Sequence, residues 1–239
     1  MRHYRKIQGE IHKYICFIVI AATLLITGCG AMLPKANRLL LAAQYGELQS
    51  HLERENGRIE RADNLDLWLL CEAYANLKNY NKLSAGLAEI QRRIERGDTD
   101  VIISGRKNND LTWVHGSLNS RALIETGEYS GAILQSQKTL AFLKGEDKKK
   151  YSDVVKRSNY INILEALGLA YALNHQPEDA EKNIRELQSI TTSGHYILLT
   201  ENKYSAMAKI NMALGHYDRA RAAFEALENH SDYKKKRAE

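Results

Sequence analysis

Apolar residues recur at helical spacing along most of the chain, and one turn pattern separates the apolar segments five times. Each turn carries Tyr or Pro three residues before a small or aliphatic residue, and each lies between two apolar helical segments. The five turns are 42–48 (AAQYGEL), 76–83 (NLKNYNKL), 125–132 (ETGEYSGA), 174–180 (NHQPEDA) and 213–220 (ALGHYDRA). The pattern predicts five helix pairs, each made of a helix, a short turn and a second helix.

The residues around these turns resemble the tetratricopeptide repeat, whose first helix carries W-x2-L-G-x2-Y and whose second helix carries A-x3-F. The best copy consists of Leu164, Leu167, Gly168 and Tyr171, followed by Ala180, Ile184 and Leu187. Four copies place a small residue where the repeat has glycine, namely Cys71, Ser120, Gly168 and Ala208. A small residue there lets the two helices of a pair approach closely. The resemblance implies an all-α fold, a right-handed α-solenoid.

The spacing of the turns departs from the regular repeat. Successive turns are 35, 49, 48 and 40 residues apart, so only the first interval is near the family's period. The extra residues at 95–110, 144–152 and 190–195 are expected to form lengthened helices or surface loops between pairs. We therefore predict about five irregular helix pairs, and another kind of helical-hairpin array is the alternative.

A basic stretch followed by an apolar stretch opens the chain. The first thirteen residues hold four basic residues against one acidic residue, Glu10, and residues 14–26 carry no charge. This apolar run is short for a spanning helix, which needs roughly 20 residues, and is typical of a secretory signal.

Small residues then lead into a cysteine in the segment Ile26, Thr27, Gly28 and Cys29. This segment resembles the bacterial lipobox. The resemblance implies that the Cys29 thiol carries a diacylglyceryl group, that the signal is cleaved before Cys29, and that the new amino terminus is acylated. Gly30 stands where lipoproteins of the inner membrane often carry Asp, which favours the outer membrane, facing the periplasm. The alternative is a buried cysteine at the end of a short anchor helix.

The predicted organisation is a signal peptide at 1–28, a lipidated tether at 29–34, a helical repeat domain at 35–229 and a basic C-terminal tail at 230–239. The signal removes four of the 34 basic residues and one of the 29 acidic residues, which leaves 30 and 28. Because nucleic-acid binding calls for a concentrated basic face, this balance predicts no nucleic-acid partner. Cys71 is left without a disulfide partner and is expected to be a small core residue.

The sequence lacks the common motifs of catalysis and cofactor binding. It has no Gly-rich phosphate loop, HExxH pair, CxxC pair or nucleophile-elbow pattern, and no two of its eight histidines are four residues apart. We therefore expect no enzymatic activity, no metal and no cofactor.

In the tetratricopeptide family, ligands usually bind the concave face formed by the first helices of the pairs. Here that face presents the candidate peptide-binding residues Trp68, Glu72, Arg121, Ile124, Glu165, Leu169, Lys209 and Met212, with Ala75, Ser117, Ala172 and Ser205 on the same face. Such a mixture suits an extended or helical peptide, because apolar anchors fill pockets while charges fix the register. The alternative is that Trp68 packs against the neighbouring pair and that the charged groups are only solvated.

Two interpretations of function follow. The first is a membrane-anchored lipoprotein that acts as a non-catalytic scaffold or adaptor for protein or peptide partners of the cell envelope, in assembly, secretion or export. The second is a recognition or regulatory repeat region of, or a partner to, an enzyme such as a caspase-like protease of the CHAT type. A reading frame that continues past Glu239 would favour the second.

The lipobox resemblance makes a direct prediction. The membrane-extracted protein should lack residues 1–28 and carry acyl chains, because both steps depend on the Cys29 thiol. Intact mass spectrometry should show that Cys29→Ala abolishes cleavage and acylation. Cys16→Ala is the matched control, because it removes a thiol from the apolar run and leaves the lipobox unchanged. An unprocessed wild-type chain without acyl groups would support the anchor-helix alternative.

Overall fold

A computed structural model describes residues 35–103, 106–145, 153–191 and 197–238. These residues form the α-helices α1 (Lys35–Leu41), α2 (Tyr45–Asn56), α3 (Asn64–Asn76), α4 (Tyr80–Glu95), α5 (Leu111–Thr126), α6 (Tyr129–Gly145), α7 (Asp153–Leu173), α8 (Pro177–Ser189), α9 (Ile197–Ala213) and α10 (Tyr217–Ala238). A 3₁₀ turn covers Ile59–Arg61, and two short strands, β1 (Asp100–Ile103) and β2 (Arg106–Asp110), precede α5. The expectation of a mainly helical protein is confirmed.

The five turns predicted from the sequence lie between consecutive helices, and all five share one backbone geometry. In each, a residue with φ between 53° and 84° stands two positions before the recurrent Tyr or Pro, namely Ala43, Lys78, Gly127, His175 and Gly215. The next residue donates its backbone N–H to the carbonyl five residues earlier, as in the 2.9 Å bond from Asn79 to Tyr74. This is the six-to-one bond of the Schellman motif, which ends a helix through a left-handed residue.

Local residues also explain where several helices begin and end. The Asp63 carboxylate caps α3 by accepting the backbone N–H of Asp66 at 2.8 Å, and Pro177 occupies the first turn of α8, where its missing N–H is not needed. At the other end of α8, Lys203 Nζ donates to the carbonyl oxygens of Gln188 and Ile190 at 2.8 and 2.9 Å. A cation at the C-terminal end of a helix satisfies its last carbonyls.

A buried small residue lies nine positions before the recurrent Tyr or Pro in every pair: Ala36, Cys71, Ser120, Gly168 and Ala208. The atoms that pack beside this small residue differ from pair to pair. Cys71 Sγ occupies the position that a Cβ on Gly86 would need, and Ser136 Oγ donates to Ser120 Oγ at 2.9 Å. The small residues therefore set how closely the helices approach.

The described residues belong to two compact units, Met1–Leu118 and Asn119–Glu239, with the boundary inside α5. In the first unit, α3 packs against α1, α2 and α4. The second helix α4 buries one stripe at i, i+3, i+4 and i+7, made of Leu83, Gly86, Leu87 and Ile90.

In the second unit, α7 packs against α6, α8 and α9, and α9 also contacts α8 and α10. The second helix α8 buries the same stripe as α4, with Ala180, Asn183, Ile184 and Leu187 at i, i+3, i+4 and i+7. Its apolar members join a core that includes Ile161, Leu164 and Ile210.

The segment expected as a lengthened helix or a loop at 95–110 instead contains an antiparallel strand pair. Val101 pairs with Asn109, and the register shifts between Val101 and Ile102. The run of β-branched residues at 101–103 favours a strand. Asn64 fixes its start, because the Asn64 amide donates to Asp98 Oδ1 at 3.0 Å and to the Asp100 carbonyl at 2.9 Å.

The predicted signal peptide, the lipobox and the tether lie outside the described residues. Among the helices that are described, none combines the length and the apolar character needed to cross a bilayer. The backbone of the predicted basic tail continues α10 as far as Ala238.

The close approach at Gly168 makes a testable prediction. A Cβ there would lie 2.5 Å from Ile210 Cδ1 and 3.0 Å from Cγ1, and Ile210 is fully buried, so it has little room to move. Gly168→Ala should lower the free energy of unfolding in urea by about 1–3 kcal/mol.

Gly131→Ala is the matched control on another helix. Its Cβ would lie 3.6 Å from Leu123 Cδ1, an ordinary contact, so the helical preference for Ala should leave stability unchanged or raise it by about 0.5–1 kcal/mol. Equal losses for the two variants would contradict the close-packing interpretation.

Candidate functional site

The eight candidate groove residues lie on four helices: Trp68 and Glu72 on α3, Arg121 and Ile124 on α5, Glu165 and Leu169 on α7, and Lys209 and Met212 on α9. Seven of the eight are half-buried. Trp68 differs, since only 8% of it is exposed. Its burial favours packing inside the first unit over a role as a peptide anchor.

An ion pair joins α7 to α9 among these residues. Lys209 Nζ lies 2.5 Å from Glu165 Oε1, and the two side chains are 15% and 19% exposed. Leu169, one helical turn after Glu165, packs against the core of the second unit. The second unit therefore brings Glu165 and Lys209 into direct contact, and removing one partner would leave the other charge largely buried.

The sequence reasoning missed a group of unsatisfied polar atoms on α9. Asn202 and Ser205 are each 3% exposed, and neither the Asn202 amide atoms nor Ser205 Oγ has a hydrogen-bond partner among the described residues. Asn211 Oδ1 on the same helix is also unpaired there. An unmade hydrogen bond costs about 1–3 kcal/mol at such sites. The sequence does contain a sign of this group, because Asn202 and Ser205 are three residues apart and therefore lie on the same face of a helix.

A second feature that the sequence did not predict is a cavity in the first unit, between α2, α3 and α4. Its volume is about 270 Å³, and it is lined by Glu53, Asn56, Gly57, Arg58, Ile59, Leu70, Tyr74, Lys82 and Ala85. Three charged residues, Glu53, Arg58 and Lys82, form its rim and are half-buried or exposed, whereas Leu70 and Tyr74 are buried. The cavity could not be predicted from the sequence, because its lining residues come from three separate helices.

Glu53 is held at the rim by three donors that converge on one carboxylate oxygen. Oε1 accepts from Lys82 Nζ at 2.7 Å, from the Tyr74 hydroxyl at 3.0 Å and from Gln49 Nε2 at 3.0 Å. Burial raises the pKa of Glu53, but the hydrogen bonds from Lys82 and Tyr74 outweigh it, so the pKa lies below its ordinary value. Burial and the Glu53 carboxylate raise the pKa of Tyr74. The arrangement keeps Glu53 ionised and Tyr74 protonated.

A similar cluster occurs in the second unit. The Tyr160 hydroxyl donates to Glu186, and Lys144 Nζ lies 3.4 Å from the same carboxylate. Lys144 also stands 5.6 Å from the centre of the Tyr160 ring, as Lys82 stands 5.8 Å from that of Tyr74. A Tyr, a Glu and a Lys therefore link three helices in each unit.

Outside these clusters, the described part of the chain includes a buried cysteine and a half-buried histidine. No group of three or more His, Cys, Asp or Glu residues there could hold a metal ion. Cys71 is a free, buried thiol, and burial raises its pKa, which disfavours the nucleophilic thiolate. Burial likewise lowers the pKa of His115 and favours its neutral form.

Comparison of the chain with models of protein families, with curated proteins and with solved structures finds no match.

The Glu53 cluster predicts a pH dependence of stability. Because the pKa of Glu53 is lowered in the folded state, its ionised form stabilises the protein above the ordinary pKa of 4.5. This contribution is lost as the pH falls through the folded-state pKa. Below pH 4.5 the free energy of unfolding in urea should therefore fall more steeply for the wild type than for Glu53→Gln.

Glu55→Gln is the control, since the Glu55 side chain is 58% exposed and lies two residues away on α2. This variant should keep the wild-type slope. Parallel pH profiles for the wild type and Glu53→Gln would show that the three donors do not stabilise the carboxylate.

Proposed function

We propose that the chain is a tetratricopeptide-like lipoprotein, anchored through Cys29 and facing the periplasm, that holds protein or peptide partners at the membrane without catalysis of its own. The repeat part of this proposal rests on the five-fold recurrence of one left-handed turn between paired helices, and the anchor rests on the lipobox resemblance at 26–29. Repeated helix pairs of this kind bury their apolar faces by stacking and leave a continuous face of first helices for binding.

An equivalent contact between neighbouring pairs supports the repeat interpretation. The Tyr74 hydroxyl donates to Glu53 at 3.0 Å, and Gln137 Nε2 donates to the Tyr171 hydroxyl at 2.8 Å. Both tyrosines stand six residues before the recurrent Tyr or Pro, and both partners stand eight residues after the Tyr of the preceding pair. Stacked copies of one repeat produce equivalent contacts between neighbouring pairs. Such a contact occurs in each of the two compact units.

The half-buried groove residues of the second unit support peptide binding. Each first helix presents a charged residue followed by an apolar residue three or four positions later: Arg121 and Ile124, Glu165 and Leu169, Lys209 and Met212. The apolar side chains would take the anchors of a peptide, while Glu165 and Lys209, which pair with each other, would hold α7 and α9 together. The unsatisfied atoms of Asn202 and Ser205 belong to the same helix as Lys209.

A lipid anchor would strengthen the overall binding of a partner that the groove holds only weakly. A lipid restricts the protein to one membrane and raises the effective concentration of any partner already there. A scaffold can therefore act with modest affinity for each partner.

Site-specific photo-crosslinking in cells tests this proposal. A photoreactive residue at Ile124, Leu169 or Met212 should crosslink the same envelope partner. The matched controls are Ser130 and Arg185, exposed positions on the second helices α6 and α8, which should give no such crosslink.

The same positions in a Cys29→Ala background separate the tether from the groove. Loss of the crosslink there would show that anchoring is required. Crosslinks of equal yield from groove and control positions would contradict groove binding, and a crosslinked caspase-like protease would support the enzyme-partner interpretation.

A further inference from the structure

The cavity of the first unit is formed where the chain leaves α2. The helix ends at Asn56, and Gly57 turns the chain with φ of 69°. The following Arg58 is extended, with φ of −136° and ψ of 144°, and Ile59 begins the 3₁₀ turn; both residues line the cavity. Ile59 and Ala85 supply accessible apolar surface to it, and Leu70 lies behind them with 1% of its surface exposed.

The charges around this cavity do not cancel. The carboxylate of Glu53 is ion-paired with Lys82 at 2.7 Å, which uses one cation of the rim. The guanidinium of Arg58 has no hydrogen-bond or ion-pair partner in the described ranges and is exposed. With Glu53 ionised, the three charged residues of the rim leave one net positive charge, located at Arg58.

We propose that this cavity binds a small organic monoanion with an apolar body. The apolar body would lie against Ile59 and Ala85, and the anionic group would bind the Arg58 guanidinium, whose paired donors match a carboxylate. The volume of about 270 Å³ lies just below the range of about 300–1,000 Å³ usual for drug-sized ligands, so the ligand is small. This site lies outside the candidate groove, and the inference does not depend on the proposed scaffold function.

Isothermal titration of the full-length chain with two probes of one shape tests the inference. Naphthalene-1-acetate carries a carboxylate, and naphthalene-1-acetamide has the same ring with a neutral amide. The carboxylate should bind about tenfold more tightly than the amide, because a charge-assisted bond to Arg58 replaces a neutral one. Added salt should reduce this difference, since Arg58 is exposed.

Arg58→Gln should abolish the difference between the two probes and leave the binding of the amide unchanged. Arg54→Gln is the matched control, because it removes the same charge from the last turn of α2 without bordering the cavity. It should keep the tenfold preference. A preference that survives Arg58→Gln, or that Arg54→Gln also removes, would overturn the assignment of Arg58.

A variant that fills the cavity tests whether the apolar body of the ligand binds there. Ala85 is exposed and lines the cavity, so Ala85→Phe should abolish binding of both probes while the urea midpoint of unfolding stays unchanged. Ser84→Phe, at the adjacent exposed position outside the lining, should bind both probes as the wild type does. Absence of binding by the wild type, or equal losses in both Phe variants, would overturn the inference.

Discussion

Each helix pair depends on one residue held in the left-handed conformation between its two helices. That residue and the six-to-one hydrogen bond behind it reverse the chain, so the second helix returns along the first. Gly127 and Gly215 adopt this conformation without strain, whereas Ala43, Lys78 and His175 do so at a cost of about 1–2 kcal/mol each. The cost is offset because the returning helix buries an apolar stripe against its partner.

The part of the fold that could be predicted from the sequence is the part set by short-range contacts. The recurrent Tyr or Pro marks the turns, because it lies two residues after the left-handed position and begins the second helix. The strand pair could not be predicted in this way. Its start is fixed by hydrogen bonds from Asn64 to Asp98 and Asp100, which lie 34 and 36 residues further along the chain. Such pairings join residues far apart in the chain, so local sequence patterns do not reveal them.

The candidate site also has a part that the sequence could predict and a part that it could not. Helical phase predicted that Glu165 and Lys209 would share a face of first helices, but their contact spans 44 residues and required the structure. The cavity could not be predicted from the sequence, because Glu53, Tyr74 and Lys82 come from three helices. Phase also placed Trp68 on the groove face, and the neighbouring helices of its unit instead leave it almost fully buried.

A buried arginine links the strand region to the cavity. Arg93 is 7% exposed, and it donates to Glu89 at 2.9 Å, to the Asn64 side chain at 2.8 Å and to the Ala62 carbonyl at 2.8 Å. Removing one partner of such a buried pair leaves an uncompensated charge and is strongly destabilising. Since Ala62 directly follows the 3₁₀ turn that begins at Ile59, the Arg93 network holds the cavity wall in place. The proposed lipid adds one outside constraint: the six residues 29–34 span at most about 20 Å when fully extended. Lipidation at Cys29 would therefore keep the start of α1 close to the membrane surface and raise the effective concentration of partners at that surface for the first unit.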